Sequence, residues 1–510
     1  MKICQQCGTQ LRDEAESCYF CGRKQSVPFK APQNEPRNDS DPKTVMLDGP
    51  EPIKEYAPKN KPRNSDAADT NKRDNRKGVV LVIITVLLLA LIGGTVTYLV
   101  LNGKSGKGGD GSTDDNTVSH ATNAPDTTDD PNATAEPEEP PMFKIGVILL
   151  HDELSPYDNN FIVAVKAAQK ELGLTDAQVV IRRNVAEGNE SYEAARELVA
   201  KGCDVIFADS LGHEDYMIKA AKEFHDVQFC HATGTKAHTE KLTNYHNAYA
   251  AIYDGRYLTG IAAGLKLEDM MSKDPAVVPK IGFVGAFSYA EVISSYTAFY
   301  LGVKEIVPEV TMEVEFTGSW YDEAREKAAA NDLISRGCVI ISQYADSIGA
   351  PSACESAGVI NVAYNTDNTG LCPNTFLIGS RINWTPYFKY ICTQALNGDP
   401  IDTDWVGTMK NGAVEIFGLN NSIAAPDTQT KVNQSSDLLK IGMKHVFDAT
   451  KFTVDGKFLI AYRADVDFDY NYAPDTEAIS GGYFHESEYR SAPYFDIAEI
   501  DGITLLNIVL

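Results

Sequence analysis

Two short apolar segments of nearly the same spelling, residues 144–150 (KIGVILL) and 280–286 (KIGFVGA), constrain this chain more than anything else in it. Each opens a run in which apolar strands alternate with helices that are apolar on one face. The first run predicts strands at 144–150, 179–183, 205–208 and 227–231, with helices at 160–172, 192–201 and 215–224. The second predicts strands at 280–286, 311–316, 339–342, 359–363 and 376–379, with helices at 290–306 and 322–336, the latter opened by Asp322 as its cap. Short strands that are apolar throughout are buried on both faces, and alternating helices bury them over a parallel sheet with right-handed crossovers. Each run is about the size of one domain. The expected fold class is therefore α/β, with two similar parallel-sheet lobes and a cleft that closes on its ligand by hinge motion.

Ligands of such sheets sit beyond the carboxyl ends of the strands, which makes those ends the place to look for chemistry. In the first run they lead into 151–160 (HDELSPYDNN) and 209–213 (DSLGH). In the second they lead into 319–322 (SWYD), 343–347 (QYADS), 364–367 (YNTD) and 383–384 (NW). Aromatic rings beside Asn, Asp and Gln suit a flat heterocycle, stacked on its faces and hydrogen-bonded at its edge, while a carboxylate can grip sugar hydroxyls.

The segments before residue 143 read differently. Residues 79–101 hold no Asp, Glu, Lys or Arg, and as a helix they would span about 34 Å against a hydrocarbon core of about 30 Å. The run is apolar on all sides, unlike a core helix, and too long and too far from residue 1 for a signal peptide. It predicts one transmembrane helix. Lys72, Arg73, Arg76 and Lys77 crowd its first edge, so residues 1–78 are expected in the cytoplasm and the large domain outside, at the cell membrane. The formal net charge of −25 falls beyond the run, because residues 1–78 are slightly basic. A surface so acidic argues against a nucleic-acid partner. Residues 24–78 and 102–142, poor in aliphatics, read as flexible linkers, the second acidic.

Residues 1–23 contain Cys4, Cys7, Cys18 and Cys21, two Cys-x-x-Cys pairs with Gly8 and Gly22 behind them. Four thiolates so spaced make a tetrahedral shell for a structural zinc, with iron as the alternative metal and disulfides disfavoured in a reducing compartment. The segment resembles the short zinc-ribbon heads of bacterial membrane proteins. With four cysteines no coordination position is left open for catalysis.

Within the large domain, 143–510, the resemblance is more specific. Residues 224–234 (FHDVQFCHATG), 253–264 (YDGRYLTGIAAG) and 318–322 (GSWYD) follow one another as they do in the basic membrane protein family, the substrate-binding lipoproteins of ABC importers. The similarity runs over about 143–452 and is to the branch that binds purine nucleosides and purine bases. It implies a two-lobed periplasmic-binding-protein-like fold, a purine-type ligand and an ABC permease as partner. It further implies that Tyr157 with Asn159 or Asn160 contacts the base and that Ser210 and Trp320 line the pocket. Asp367 would bond a sugar or base edge, and Trp384 stands where the family places an aromatic residue or a lysine. Asp346, at a strand end, completes the set of expected ligand-binding residues.

The expectation is thus a membrane-anchored solute-binding protein that captures a purine nucleoside or base, with no catalysis. Two other classes are open. One is a receptor that relays lobe closure to a cytoplasmic partner of the zinc ribbon, which two long flexible linkers would transmit poorly. The other is a nucleosidase using Asp322, Asp346 or Asp367, though no nucleophile elbow, phosphate loop or His-Glu-x-x-His motif is present. Cys203, Cys230, Cys338, Cys354, Cys372 and Cys392 lack metal-like spacing and read as small core residues, Cys354 and Cys372 being a conceivable pair. Beyond residue 418 the sequence predicts a helix at 435–449 and a hairpin at 451–462 around Asp455-Gly456.

Overall fold

The computed structural model describes residues 142–466 and 473–509, and the backbone of 2–3 and 10–11, which pair antiparallel. The four zinc-motif cysteines, both linkers and the apolar run at 79–101 lie outside the described residues.

The first lobe begins with β1 (Ile145–Ile148), α1 (Pro156–Leu172), β2 (Val179–Arg182), α2 (Asn189–Ala200), β3 (Val205–Ala208), α3 (Glu214–Glu223), β4 (Gln228–Ala232) and β5 (Tyr245–Ala250). α1 starts four residues before the expected point because Ser155 caps it, its Oγ accepting from Asp158 N at 3.4 Å, with Pro156 at the first helical position. Gly173, at φ +68°, ends it in the left-handed region. α4 (Ile252–Lys273) then leads to the second lobe: β6 (Lys280–Gly285), α5 (Ala290–Ile306), β7 (Thr311–Phe316), α6 (Glu323–Ser335), β8 (Ile340–Tyr344), α7 (Gly349–Ala357), β9 (Ile360–Tyr364) and β10 (Phe376–Ile382). Asp322 does cap α6, accepting from Arg325 N at 3.0 Å.

The lobes are not two contiguous halves. After β10 and α8 (Thr385–Asn397), β11 (Asp404–Gly407) returns to the first sheet and pairs parallel with β5. β12 (Val414–Phe417) then crosses back to lie antiparallel to β10, and after α9 (Thr428–Lys440) the chain ends with β13 (Ile503–Leu505), parallel to β7. The first sheet has the order β11-β5-β4-β3-β1-β2 and the second β12-β10-β9-β8-β6-β7-β13. These added edge strands are short, and β12 follows β11 with no helix between them, so the alternation that marks the inner strands does not mark it.

α4 explains the glycines of the 253–264 motif. A Cβ on Gly260 would stand 2.2 Å from Phe299 O, and one on Gly302 2.1 Å from Tyr257 O, so only glycine lets α4 and α5 approach so closely. From the same helix Arg256, fully buried, donates to Ser342 Oγ (2.5 Å), Gln343 O (3.2 Å) and Ala363 O (3.3 Å), tying the ends of β8 and β9 together.

Three expectations are corrected here. Among the described residues no helix is long and apolar enough to cross a membrane. The longest, α4, carries Asp254, Arg256, Lys266, Glu268, Asp269 and Lys273 and packs inside the protein. The fold class of the described residues is therefore the two-lobed α/β fold, with no membrane-spanning helix among them, and the expected anchor, the placement outside the cell membrane and the membrane as partner are not carried further. The helix expected at 435–449 is instead α9, which ends before Gly442 at φ +70°. The expected hairpin at 451–462 reduces to a tight turn in which Val454 bridges Lys457 across Asp455 and Gly456 at φ +51° and +71°. The six cysteines of the domain are buried and free, Cys354 and Cys372 included.

Candidate functional site

The carboxyl ends of the inner strands of both sheets converge on one cavity. From the first lobe it is lined by Leu150, His151, Tyr157, Asp158, Ser210, Leu211 and Thr233, and from the second by Glu291, Trp320, Tyr344, Asp346 and Tyr364. The lobes meet at both ends of it: the Tyr249 and Tyr344 hydroxyls bond to one another inside, and the His151 and Tyr321 rings lie 6.4 Å apart at the mouth. The enclosed space is about 40 Å³, room for a few waters, so a heterocycle enters only as the lobes part.

The first-lobe wall is a set of polar groups bonded to one another. Asp158, fully buried in the first turn of α1, accepts from His151 N at 2.6 Å and faces His151 Nδ1 at 3.3 Å. Burial pushes the Asp158 carboxyl up, but its hydrogen bonds from His151 and Ser155 outweigh this and hold it below the ordinary range. The hydrogen bond with Asp158 raises His151 in return. Asp209, at the end of β3, is driven well above the carboxylate range by burial first and the Asp158 charge second, so the proton of this carboxyl pair resides on Asp209. The Tyr157 hydroxyl donates to Asp209 O at 2.7 Å, and Ser210 Oγ donates to Glu187 Oε1 at 2.6 Å. Thr233 differs: it is 7 % exposed, its hydroxyl has no partner among the described residues, and its φ is +68°. A β-branched residue held in the left-handed region is strained, and it sits here at the cavity wall.

The second-lobe wall is aromatic and acidic. Tyr344 and Tyr364 stack at 4.2 Å at the ends of β8 and β9. Trp320 is set edge-on against Phe287 at 5.1 Å, and its carbonyl accepts from Asp346 N at 2.9 Å. Burial raises Glu291, in the first turn of α5, to about 7. Asp346 is pushed well above its ordinary range by burial, then by the charges of Glu326, Asp158 and Glu291. Among the described residues neither carboxyl has a side-chain partner, and the cavity lining contains no Lys or Arg.

Of the residues expected from sequence, Tyr157, Ser210, Trp320 and Asp346 line this cavity. Asn159 and Asn160 lie one and two residues past Asp158 on α1 and are not among its walls. Asp367 is exposed, and its Oδ1 accepts from Thr369 N at 2.9 Å in a local turn. Trp384 is 1 % exposed and stacks on Phe161 at 4.7 Å, as part of the core. His151, Tyr344 and Tyr364 belong to the strand-end segments already singled out. Glu291 lies beyond the end of β6, outside the strand-end segments named from sequence, and Thr233 lies in the 224–234 motif. A larger cavity, about 240 Å³, lies between α4, β12 and α9, away from the strand ends; its walls include Leu258, Ile416, Phe417 and Val432.

Two parallel-sheet lobes closing on a cavity at their strand ends define a two-lobed solute-binding protein. The chain belongs to the family described as Bmp, ABC transporter substrate-binding protein PnrA-like, whose model matches residues 151–444. It is 30% identical over 299 residues to a purine-binding protein of Brucella abortus, an alignment covering 58% of this chain and 80% of that one. It is 27% identical over 333 residues to metabotropic glutamate receptor-like protein B of Dictyostelium discoideum, covering 63% of this chain and less than half (42%) of that protein. Among solved structures, a solute-binding protein of an ABC transporter system from Aeropyrum pernix superposes with a TM-score of 0.52 at 13% identity, covering 59% of this chain and 92% of that one, a likeness of fold alone. The chain is thus a substrate-binding protein and not an enzyme, which sets aside the nucleosidase reading. The membrane-anchored form of the function, and the receptor reading built on the same anchor, are corrected to a substrate-binding protein for which no anchor is described. Among the described residues no group of His, Cys, Asp and Glu side chains could hold a metal ion, and the cysteines of the expected zinc site lie outside them.

Proposed function

We propose that the protein captures a purine base or purine nucleoside between its lobes and delivers it to an ABC importer. The observation that carries this reading is the second-lobe wall: Trp320, Tyr344 and Tyr364 offer ring faces, while Glu291 and Asp346, without protein partners among the described residues, offer acceptors or donors to a heterocycle edge or ribose hydroxyls. The purine-binding name of the Brucella relative supports the same class. Three carboxyl groups and no Lys or Arg in the lining, with His151 already paired to Asp158, make the cavity unfavourable for a phosphate. Isothermal titration of the full chain with adenine, adenosine, inosine, adenosine monophosphate and glucose tests it. Binding of a base or nucleoside without the monophosphate is expected; no heat with any purine sinks the purine assignment and leaves the substrate-binding class standing.

Zinc at Cys4, Cys7, Cys18 and Cys21 is a separate proposal. Its support is the paired Cys-x-x-Cys spacing, together with the antiparallel pairing of Lys2–Ile3 with Gln10–Leu11, which reverses the chain across the first pair. One zinc per chain by elemental analysis is expected, and a chain that folds and purifies without metal argues against it.

A further inference from the structure

We infer that residues 498–509, which lie beyond the family match, are part of the binding apparatus of the second lobe, and that Asn507 is a positioning residue for its two ligand-presenting loops. The inference rests on the strand-end cavity being the solute site. β13 pairs with β7 from Ile503 opposite Met312 to Leu505 opposite Val314, and Leu506 N still donates to Val314 O at 2.8 Å. There the main-chain ladder ends, and the Asn507 side chain continues it. Its Oδ1 accepts from Phe316 N at 2.7 Å and its Nδ2 donates to Phe316 O at 2.8 Å, so a primary amide takes the place of a backbone pair on the last residue of β7. Two residues on, Val509 O accepts from Ser288 N at 2.7 Å and Val509 N donates to Ser288 Oγ at 3.1 Å.

The two segments so held are those that furnish the cavity. The chain leaving Phe316 carries Trp320, and the chain around Ser288 carries Phe287 and Tyr289, the rings against Trp320, and then Glu291. The same tail fastens α5, on which Glu291 sits: the Tyr296 hydroxyl donates to Ala498 O at 2.5 Å and the Tyr300 hydroxyl to Asp501 O at 3.0 Å. Holding side chains in their bound geometry removes an ordering cost from binding, so the brace acts on affinity through Trp320 and Glu291 without touching the solute.

The full chain is compared with Asn507→Ala, Asn507→Asp and Ser288→Ala, using adenosine titration, melting temperature and amide hydrogen exchange. Asn507→Ala should weaken adenosine binding by about three- to tenfold, the worth of one or two net hydrogen bonds. Exchange should quicken in 286–291 and 317–322 and not elsewhere. Asn507→Asp keeps the acceptor for Phe316 N but sets a second acceptor against Phe316 O, so it should weaken binding at least as much as Asn507→Ala; Ser288→Ala should show the smallest change and keeps the test alive if Asn507→Ala does not fold. A lower melting temperature with affinity and loop exchange both at wild-type values overturns the inference, because a merely structural contact predicts that outcome. If the wild type binds no adenosine, the purine assignment fails alone: faster exchange confined to the two loops still supports the brace, and unchanged exchange overturns it.

Discussion

The two walls of the cleft are built on opposite principles. In the first lobe most of the polar groups hold one another, the Thr233 hydroxyl and Asp209 Oδ2 apart: His151 bonds Asp158, Asp158 stands against a protonated Asp209, Tyr157 reaches the Asp209 carbonyl, and Ser210 is held by Glu187. In the second lobe Glu291 and Asp346 are without side-chain partners among the described residues and are surrounded by rings. A saturated wall fixes shape, whereas an unsaturated one waits for a partner, because a buried carboxyl without hydrogen bonds is costly until something supplies them. The difference leaves the first wall the more firmly held and the second with carboxyls that no side chain bonds among the described residues.

The largest expected effect tests the rigid wall. Asp158→Ala leaves the His151 amide and ring without their acceptor and removes the neighbour that keeps Asp209 protonated, so the fold should lose about 1–3 kcal/mol. Denaturant unfolding measures it, and a loss well below that range would show that the first wall is not a structural network. Trp320→Ala addresses the other wall. Binding of a purine should weaken by about 1–3 kcal/mol, the worth of one aromatic stacking face, with little change in unfolding. If Trp320→Ala unfolds the protein as readily as Asp158→Ala does, the division of labour between the walls is wrong.

How much of this was legible in the sequence follows from the same physics. The inner strands other than β5 were legible because burial on both faces imposes an uninterrupted apolar run, which the polar spelling of β5 (YHNAYA) lacks, and the strand ends because a parallel sheet delivers ligand groups there. Asp346 follows from that rule, and Tyr157, Ser210 and Trp320, which lie in strand-end segments, were singled out by the family resemblance. Asp367 and Trp384 are also at or near strand ends, but whether such a side chain turns inward, outward or into the core depends on loop geometry: Asp367 closes on Thr369 and Trp384 falls onto Phe161. The edge strands β11, β12 and β13 were illegible because each joins a sheet laid down earlier in the chain, as β13 (from Ile503) does opposite β7 (from Met312), and not the βα alternation around it. Asn507 bears no sequence signal at all, since its role exists only through the proximity of Phe316.

A subtler contrast lies in protonation. Burial raises Glu291 to about 7, so its favourable contribution is full below its unfolded pKa and is lost as the pH climbs through about 7. Glu291→Gln keeps the shape and removes the titration. The melting temperature of the variant should exceed that of the wild type by on the order of 2 °C at pH 8 and by nothing measurable at pH 5. Because the comparison is between variant and wild type, the buried His231 and His246, which titrate the other way, cancel from it. A constant difference across that range would show that Glu291 is not held protonated by its surroundings, and the second wall would be charged rather than poised.

The smallest effect is expected at Asp367, and its smallness is the point. Its Oδ1 bonds Thr369 N and hydroxyl within one exposed turn, and it contributes nothing to the cavity wall. Asp367→Ala should therefore change purine affinity and unfolding by less than about 0.5 kcal/mol each, as for surface positions generally. A tenfold loss of affinity in titration, with stability unchanged, would mean that the 364–369 loop swings over the solute when the lobes close on it. The unsaturated wall would then reach beyond Glu291 and Asp346 to a third carboxylate, one recruited by closure rather than standing in the cleft beforehand.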